Sequence, residues 1–129
     1  GFSKEFTINV VRPGKTGADE IKQMMENFRN NPPKELGGSK IVIWKDYLSL
    51  KQKDVQGNIT KLNMPATSNV LQWFCDDDTK VSVRPSGTEP KIKFYVEVKG
   101  TMTKADQYDA LDKAGCEKIE AIKKSLNLD

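Results

Sequence analysis

The sequence comprises 129 residues with a net charge of +3, from 21 lysines and arginines against 18 aspartates and glutamates. This length fits one domain with a modest core, and so small a charge does not by itself indicate a nucleic-acid or membrane partner. No apolar run is long enough to cross a bilayer and no signal-peptide pattern is present, so we expect a cytoplasmic protein. The chain begins with Gly1 rather than methionine, which suggests a fragment. It contains no histidine, the residue that most often serves as a general base.

The first thirty residues predict an extended segment followed by a helix. Residues 2–13 alternate loosely, which indicates a short strand or an arm from an upstream domain, and we assign residues 1–16 to such a linker or arm. Gly17 then leads into a helix whose apolar stripe has helical spacing, and Pro32 and Pro33 end it. The residues of this stripe are Ile21, Met24, Met25 and Phe28.

Two central strands are predicted in the middle of the chain, at 39–48 and 70–75. The first is centred on residues 41–44. Lys45 and Asp46 follow this centre, and we interpret them as a strand-end ion pair rather than an acid–base pair. Residues 49–63 are polar, and the turn-forming residues at 54–58 predict the tip of an exposed hairpin.

Three consecutive carboxylates, Asp76 to Asp78, follow the second of these strands. We interpret them as a tight hairpin turn completed by Thr79, because adjacent side chains in a short turn point apart and a hard cation needs converging oxygens. Cys75 and Cys116 show no metal-ligand spacing, and free thiols are expected. The sequence therefore predicts no metal site.

A long helix is predicted after Gly100, capped by Thr101 or Thr103, with Lys123 and Lys124 at its negative end. Gly115 in its interior suggests close packing. The expected buried stripe is Ala105, Tyr108, Leu111, Gly115, Ile119, Ile122 and Leu126. Together the elements predict an α+β fold, an antiparallel sheet of about four strands with two helices packed on one face.

The loop 84–90 lies between two alternating segments, 80–83 and 91–98, that predict a hairpin. Gly87 can adopt a positive φ, which would let the amides of Ser86, Gly87 and Thr88 point one way and hold an anion. Arg84 would add a planar fork that matches two phosphate oxygens. A plain turn with charges for solubility is the alternative, and the residues alone leave it open.

Alternation also predicts which side chains of this hairpin share a face. Val81, Val83, Ile92, Phe94 and Val96 should be buried, with Val83 opposite Ile92 and Val81 opposite Phe94. Arg84 would then lie beside Lys91 and Ser82 beside Lys93 on the other face. Like charges so close repel each other, and a bound dianion would offset that repulsion.

Residues 84–95, Arg-Pro-Ser-Gly-Thr-Glu-Pro-Lys-Ile-Lys-Phe-Tyr, resemble the phosphate-binding loop of the α-D-phosphohexomutases, the family of phosphoglucomutase and phosphomannomutase. Residues 65–74 resemble the segment that precedes this loop in the family, and the similarity extends from about Gly17 to Gly100. The resemblance implies that residues 17–129 are the C-terminal, fourth domain. It implies a phosphate site formed by Arg84, Ser86, Gly87, Thr88 and Lys93. Lys93 stands where phosphoglucosamine mutases have arginine, which keeps the charge but loses the fork.

The resemblance implies a parent enzyme that interconverts hexose 1-phosphate and hexose 6-phosphate. There, a phosphoserine of the first domain transfers the phosphoryl group, Mg²⁺ is held by the second, and this domain holds the non-transferring phosphate. The expected partners are a phosphosugar and the upstream domains. No catalytic residue, cofactor or metal ligand is expected in this chain, which should be inactive alone.

Two other functions remain open from the sequence. A stand-alone domain that binds phosphometabolites or a protein partner fits the same residues. Nucleic-acid binding is disfavoured, because Phe94 belongs to the predicted core face and only Tyr95 is left for stacking on a base.

Overall fold

Eight antiparallel strands and two helices make up the part of the chain that the computed structural model describes, residues 2–100 and 106–128. The helices are α1 (Gly17–Asn30) and α2 (Asp106–Ser125). The strands are β1 (Phe2–Val11), β2 (Glu35–Leu36), β3 (Ser39–Asp46), β4 (Lys51–Asp54), β5 (Ile59–Lys61), β6 (Leu71–Cys75), β7 (Lys80–Pro85) and β8 (Lys91–Gly100).

The strands follow the spatial order β1-β8-β7-β6-β3-β4-β5, and β2 pairs with β3. The α+β class and the antiparallel sheet are confirmed, whereas the expectation of about four strands is wrong. The four strongly alternating segments became β3, β6, β7 and β8 at the centre. The sheet is larger because β1 adds a long edge strand, and because β2, β4 and β5 are short, polar strands with little alternation to reveal them.

Helix α1 has the predicted bounds and the predicted apolar stripe. Ile21, Met25 and Phe28 are buried and Met24 is partly buried against the same core. The helix ends at Asn30, because the following Asn31 precedes Pro32 and a residue before proline disfavours the helical region. The stripe therefore faces the sheet. The first residue of α1, Gly17, lies against Pro90 at the end of the β7–β8 hairpin.

Helix α2 completes the same core from the other end of the chain. Ile119, Ile122 and Leu126 are buried as predicted. A Cβ on Gly115 would lie 3.1 Å from Cζ of Phe6, which confirms the close packing expected there. The predictions for Thr101, Thr103, Ala105, Tyr108 and Leu111 fall outside the described residues and side chains.

The centre of the core is aromatic. The ring of Phe28 packs edge-on against Trp73 and Phe94, with centroid distances of 5.5 and 5.8 Å. Such edge-to-face pairs add about 0.5–1.5 kcal/mol to the burial of the rings. They fix the position of α1 over β6 and β8, the strands that flank β7.

The β7–β8 hairpin has the predicted faces but a different register. Val81, Val83, Ile92, Phe94 and Val96 are all buried, as predicted. The observed partners are Val83 with Phe94 and Val81 with Val96, a shift of two positions from the predicted pairs. The reason is that pairing continues to Pro85 and Ile92, so that the ladder includes residues that had been assigned to the loop. A shift by two preserves the face of every side chain.

The turn at Asp76–Asp78 joins β6 to β7 as predicted, and Asp77 ties it to α2. The carboxylate of Asp77 accepts hydrogen bonds from the hydroxyl of Ser39 and from the amide of Thr79, and lies 3.6 Å from Lys118 Nζ. Burial would raise the pKa of Asp77, but these hydrogen bonds and the charge of Lys118 outweigh it and lower the pKa to about 2.

We expect Asp77 to make the fold sensitive to acid. Because its pKa is lower in the folded chain, its stabilisation is present above the unfolded value of 3.8 and is lost as the pH falls towards about 2. Its side chain is 48% exposed, so water screens the interaction and we expect a contribution of about 1 kcal/mol. The free energy of unfolding, measured with urea between pH 6 and 2, should depend less on pH in Asp77→Asn than in the unchanged chain.

Asp78→Asn is the matched control, because Asp78 lies in the same turn and its carboxylate makes no hydrogen bond or ion pair with any described residue. An equal change in pH dependence for both variants would contradict a specific role for Asp77.

The two cysteines are free thiols, as expected. Cys75 is buried, and burial followed by the charge of Asp77 raises its pKa to about 12, whereas Cys116 is exposed. Neither described helix is long and apolar enough to span a membrane. The placement of a domain boundary at residue 16 stays a prediction.

Candidate functional site

The loop between β7 and β8 is held by its own hydrogen bonds. The amide of Ser86 donates to the carbonyl of Lys91 at 2.9 Å, which closes the loop at its base. The hydroxyl of Ser86 accepts from the amides of Thr88 and Glu89 at 3.4 and 3.2 Å. The loop is therefore organised around one serine side chain.

This arrangement differs from the predicted set of parallel amides. Positive φ angles occur at four glycines of the described chain, Gly14, Gly37, Gly38 and Gly57, but not at Gly87. The Ser86 amide is used in the ladder, and the Thr88 amide is turned to a hydroxyl. Among the described residues nothing accepts a hydrogen bond from the amide of Gly87, and a Cβ there would meet no atom within 4 Å. The amide of Gly87, an exposed residue, thus has no hydrogen-bond partner in the described part of the chain.

A cavity of about 650 Å³ lies between this loop and α1. Ser86, Gly87 and Thr88 form one wall, and Lys15 and Lys22 lie on the helix side. Glu26 and Glu89 also line the cavity, so its charges are roughly balanced. Affinity for an anion here would depend on local donors rather than on the overall field.

Arg84 and Lys93 are directly opposite each other in the β7–β8 ladder, on the face without helices. The predicted neighbour of Arg84 was Lys91, and the register shift brings Lys93 there instead. Neither side chain has a hydrogen-bond or ion-pair partner within the described part of the chain, and neither lines the cavity. Glu89, the carboxylate nearest to Arg84 in sequence, instead lies 3.6 Å from Lys91 Nζ.

The predicted site residues therefore form two groups at one end of the hairpin. Ser86, Gly87 and Thr88 line the cavity on the helix side, while Arg84 and Lys93 form a cationic pair on the opposite face. The loop is the element that joins the two groups.

The far end of the loop is fixed where β1 passes into α1. The amide of Arg12 donates to the carbonyl of Pro90 at 2.9 Å. Gly17, the first residue of α1, packs so closely that a Cβ would lie 1.8 Å from the carbonyl oxygen of Arg12 and 3.1 Å from Cβ of Pro90. Only glycine fits at this junction, which sets the distance between the loop and α1.

A second group of polar residues lies beside the loop, and the sequence did not predict that its members meet. Arg29 Nε donates to both carboxylate oxygens of Asp46 at 3.2 Å, and Arg29 Nη2 donates to Asn69 Oδ1 at 2.6 Å. The predicted strand-end ion pair thus exists, but the partner of Asp46 is Arg29. Lys45 instead lies over the ring of Phe74, 4.8 Å from its centroid.

Asp46 organises the turn after β3. Its carboxylate accepts from the amide of Leu48 at 3.0 Å and from the hydroxyl of Ser49 at 2.9 Å. Burial would raise the pKa of Asp46, but these hydrogen bonds and Arg29 lower it. Leu48, Arg29 and Asn69 all line the cavity, so this network forms its third wall.

A larger cavity of about 790 Å³ lies between the carboxyl end of α1 and the β4–β5 hairpin. It contains Trp44, Trp73 and several lysines, and none of the predicted site residues. It shares Arg29 with the smaller cavity but contains no residue of the loop.

The described residues do not suit a magnesium ion. Among the side chains that the structure describes, no three carboxylates or cysteines converge. Asp77 is already engaged by Ser39, Thr79 and Lys118. The part of the chain described here therefore supplies no ligand set of the kind that Mg²⁺ requires.

Comparisons with known proteins found a matching family profile and related sequences. The sequence profile of the family described as "Phosphoglucomutase/phosphomannomutase, C-terminal domain" matches residues 8–114. The chain is 38% identical over 86 residues to a phosphoglucomutase of Staphylococcus aureus strain N315. It is 40% identical over 87 residues to that of strain MSSA476. Each match covers 67% of this chain and 15% of the relative.

Proposed function

Because the chain belongs to the family of phosphoglucomutase and phosphomannomutase C-terminal domains, we propose that it holds the non-transferring phosphate of a hexose phosphate. The observation that carries this proposal is the pair Arg84 and Lys93, two cations without partners among the described residues. They lie opposite each other in the ladder, beside the loop in which the Gly87 amide also has no described partner. Like charges directly opposite each other destabilise a sheet, and a bound dianion removes that cost. The arrangement is therefore best explained by an anionic ligand.

The loop supplies further donors to such a ligand. Hydrogen bonds of 3.4 and 3.2 Å from Thr88 and Glu89 to a neutral hydroxyl are long. A phosphate oxygen is a stronger, charged acceptor, and these amides can turn to it together with that of Gly87. The hydroxyls of Ser86 and Thr88 add two short donors.

The domain contributes position rather than chemistry. Anchoring the phosphate that is not transferred lets binding energy from a remote group orient the reacting end of the sugar. In the parent phosphohexomutase, other domains would supply the phosphoserine and Mg²⁺, whose role is to stabilise charge on the transferred phosphoryl group. We therefore propose a cytoplasmic enzyme that interconverts hexose 1- and 6-phosphates, and expect no mutase activity from this chain alone.

A stand-alone phosphometabolite-binding or interaction domain is the second candidate. It is compatible with the same loop, and it differs in expecting tight binding without any other domain. Nucleic-acid binding has less support, since Phe94 is fully buried and only Tyr95 of this pair is exposed.

The test is a titration of the isotopically labelled chain with inorganic phosphate and with glucose 1-phosphate, followed by amide chemical shifts. We expect the largest changes within residues 84–90 and at Lys93. Affinity should be about millimolar, roughly −4 kcal/mol, because no other domain closes over the ligand. Largest changes at Asp76–Asp78 would contradict the proposed site, and micromolar affinity would favour the stand-alone domain.

A further inference from the structure

The side-chain amide of Asn69 has a fixed orientation. A guanidinium group carries donors only, so the Asn69 atom that faces Arg29 Nη2 at 2.6 Å must be the oxygen. The nitrogen, Nδ2, therefore points away from Arg29. In the described part of the chain no atom accepts a hydrogen bond from Nδ2. Two N–H groups of this amide are available to a ligand.

Arg29 is itself held rigidly. Its Nε contacts both oxygens of Asp46, and the two side chains are only 18% and 21% exposed. The backbone on either side of Asn69 is also fixed, since Ser68 donates to the Tyr47 carbonyl at 3.1 Å and Tyr47 donates to the Val70 carbonyl at 3.0 Å. An amide held in this way loses little entropy when it binds a ligand.

Asn69 and Arg29 line the same cavity as Ser86, Gly87 and Thr88. The volume of about 650 Å³ is within the range of small-molecule sites and much larger than a phosphate group needs. If the loop holds the phosphate, the space towards Asn69 is left for the rest of the ligand. A neutral amide donor suits a hydroxyl oxygen there, since it adds no charge beside a sugar.

We propose that Asn69 is a second recognition residue of this site, whose Nδ2 donates to a hydroxyl of the sugar, and that Arg29 is a positioning residue that orients this amide. The inference rests on the proposed phosphate-binding function. It adds a contact to the sugar from the same domain that anchors the phosphate.

The experiment compares two ligands, inorganic phosphate and glucose 1-phosphate, on the full 129-residue chain. The Asn69 Nδ2 resonances should shift with glucose 1-phosphate and stay unchanged with phosphate, while the loop amides shift with both. Asn69→Ala should weaken glucose 1-phosphate binding by about two- to tenfold, the worth of one neutral hydrogen bond, and leave phosphate binding unchanged. Asn63→Ala, an exposed asparagine away from the cavity, is the matched control.

Arg29→Lys provides a second variant, because it keeps a charge beside Asp46 but loses the fork that reaches Asn69. It should weaken glucose 1-phosphate binding and spare phosphate binding. Equal weakening of both ligands by Asn69→Ala would show a merely structural role and overturn the inference, as would no weakening. If the loop amides respond to neither ligand, the proposed phosphate site itself is wrong.

Discussion

Arg84→Ala is expected to weaken phosphosugar binding by about ten- to a hundredfold. The guanidinium can grip two oxygens of the phosphate, and a hydrogen bond to a charged group contributes roughly 1.5–3 kcal/mol. Arg84→Lys should recover only part of the loss, because an ammonium group is a point charge without the fork. In a full-length mutase that contains this domain, part of the same loss should appear in KM, since the anchor acts in the ground state and in the transition state.

Binding of glucose 1-phosphate and thermal unfolding should be measured together on the Arg84 variants. The fold should survive, because Arg84 is exposed, lies on the face without helices and has no partner among the described residues. Lys99→Ala is the matched control, since Lys99 is an exposed cation on the same face of β8 but far from the loop. A large fall in Tm, or unchanged binding with an intact fold, would contradict the hypothesis that Arg84 binds the phosphate.

Phe94→Ala is expected to lower the free energy of unfolding by about 3–5 kcal/mol. Phe94 is 0% exposed, pairs with Val83 and Ile8 on its two flanking strands, and packs edge-on against Phe28. Removal of the ring leaves a cavity that neighbouring strands of one sheet cannot close. The free energy of unfolding of a small domain is only about 5–15 kcal/mol in total. The variant should therefore be close to unfolding at ordinary temperature.

Urea denaturation monitored by tryptophan fluorescence would measure this loss. Tyr95→Ala is the matched control, because Tyr95 is the next residue along β8, is 41% exposed and faces away from the helices. We expect its effect to stay below about 1 kcal/mol. Similar losses for the two variants would mean that the sheet buries both faces.

The faces of the hairpin were predictable from the sequence, but the pairing partners were not. Alternation has a period of two, so it assigns Val83 and Phe94 to the core face. A shift of the strand register by any even number of residues leaves that assignment unchanged. The actual register depends on how far the ladder extends into the loop, and here it extends to the Ser86–Lys91 hydrogen bond. Gly87 likewise permits a positive φ without requiring it, and its φ is not positive here. The conformation of the loop is instead held by the hydrogen bonds to the Ser86 hydroxyl.

The third wall of the cavity could not be predicted because its contacts are distant in sequence. Arg29 is separated from Asp46 by 17 positions and from Asn69 by 40. No local pattern connects them, since they meet only once α1 has packed on the sheet. The loop residues could be proposed as a site from the sequence because they are adjacent in it, whereas the wall opposite them is a product of tertiary structure.

The position of β1 has a consequence for any shortened form of this protein. A chain that begins at Gly17 would lack β1, which pairs with β8 along all ten residues of that strand. The donors and acceptors of β8 would then be open to pairing with other chains, a common cause of aggregation. The carbonyl of Pro90 would also lose the amide of Arg12. The shortened chain should therefore self-associate and have a less ordered loop. In the present chain, β1 protects β8, the strand that carries Lys93, from pairing with neighbouring copies.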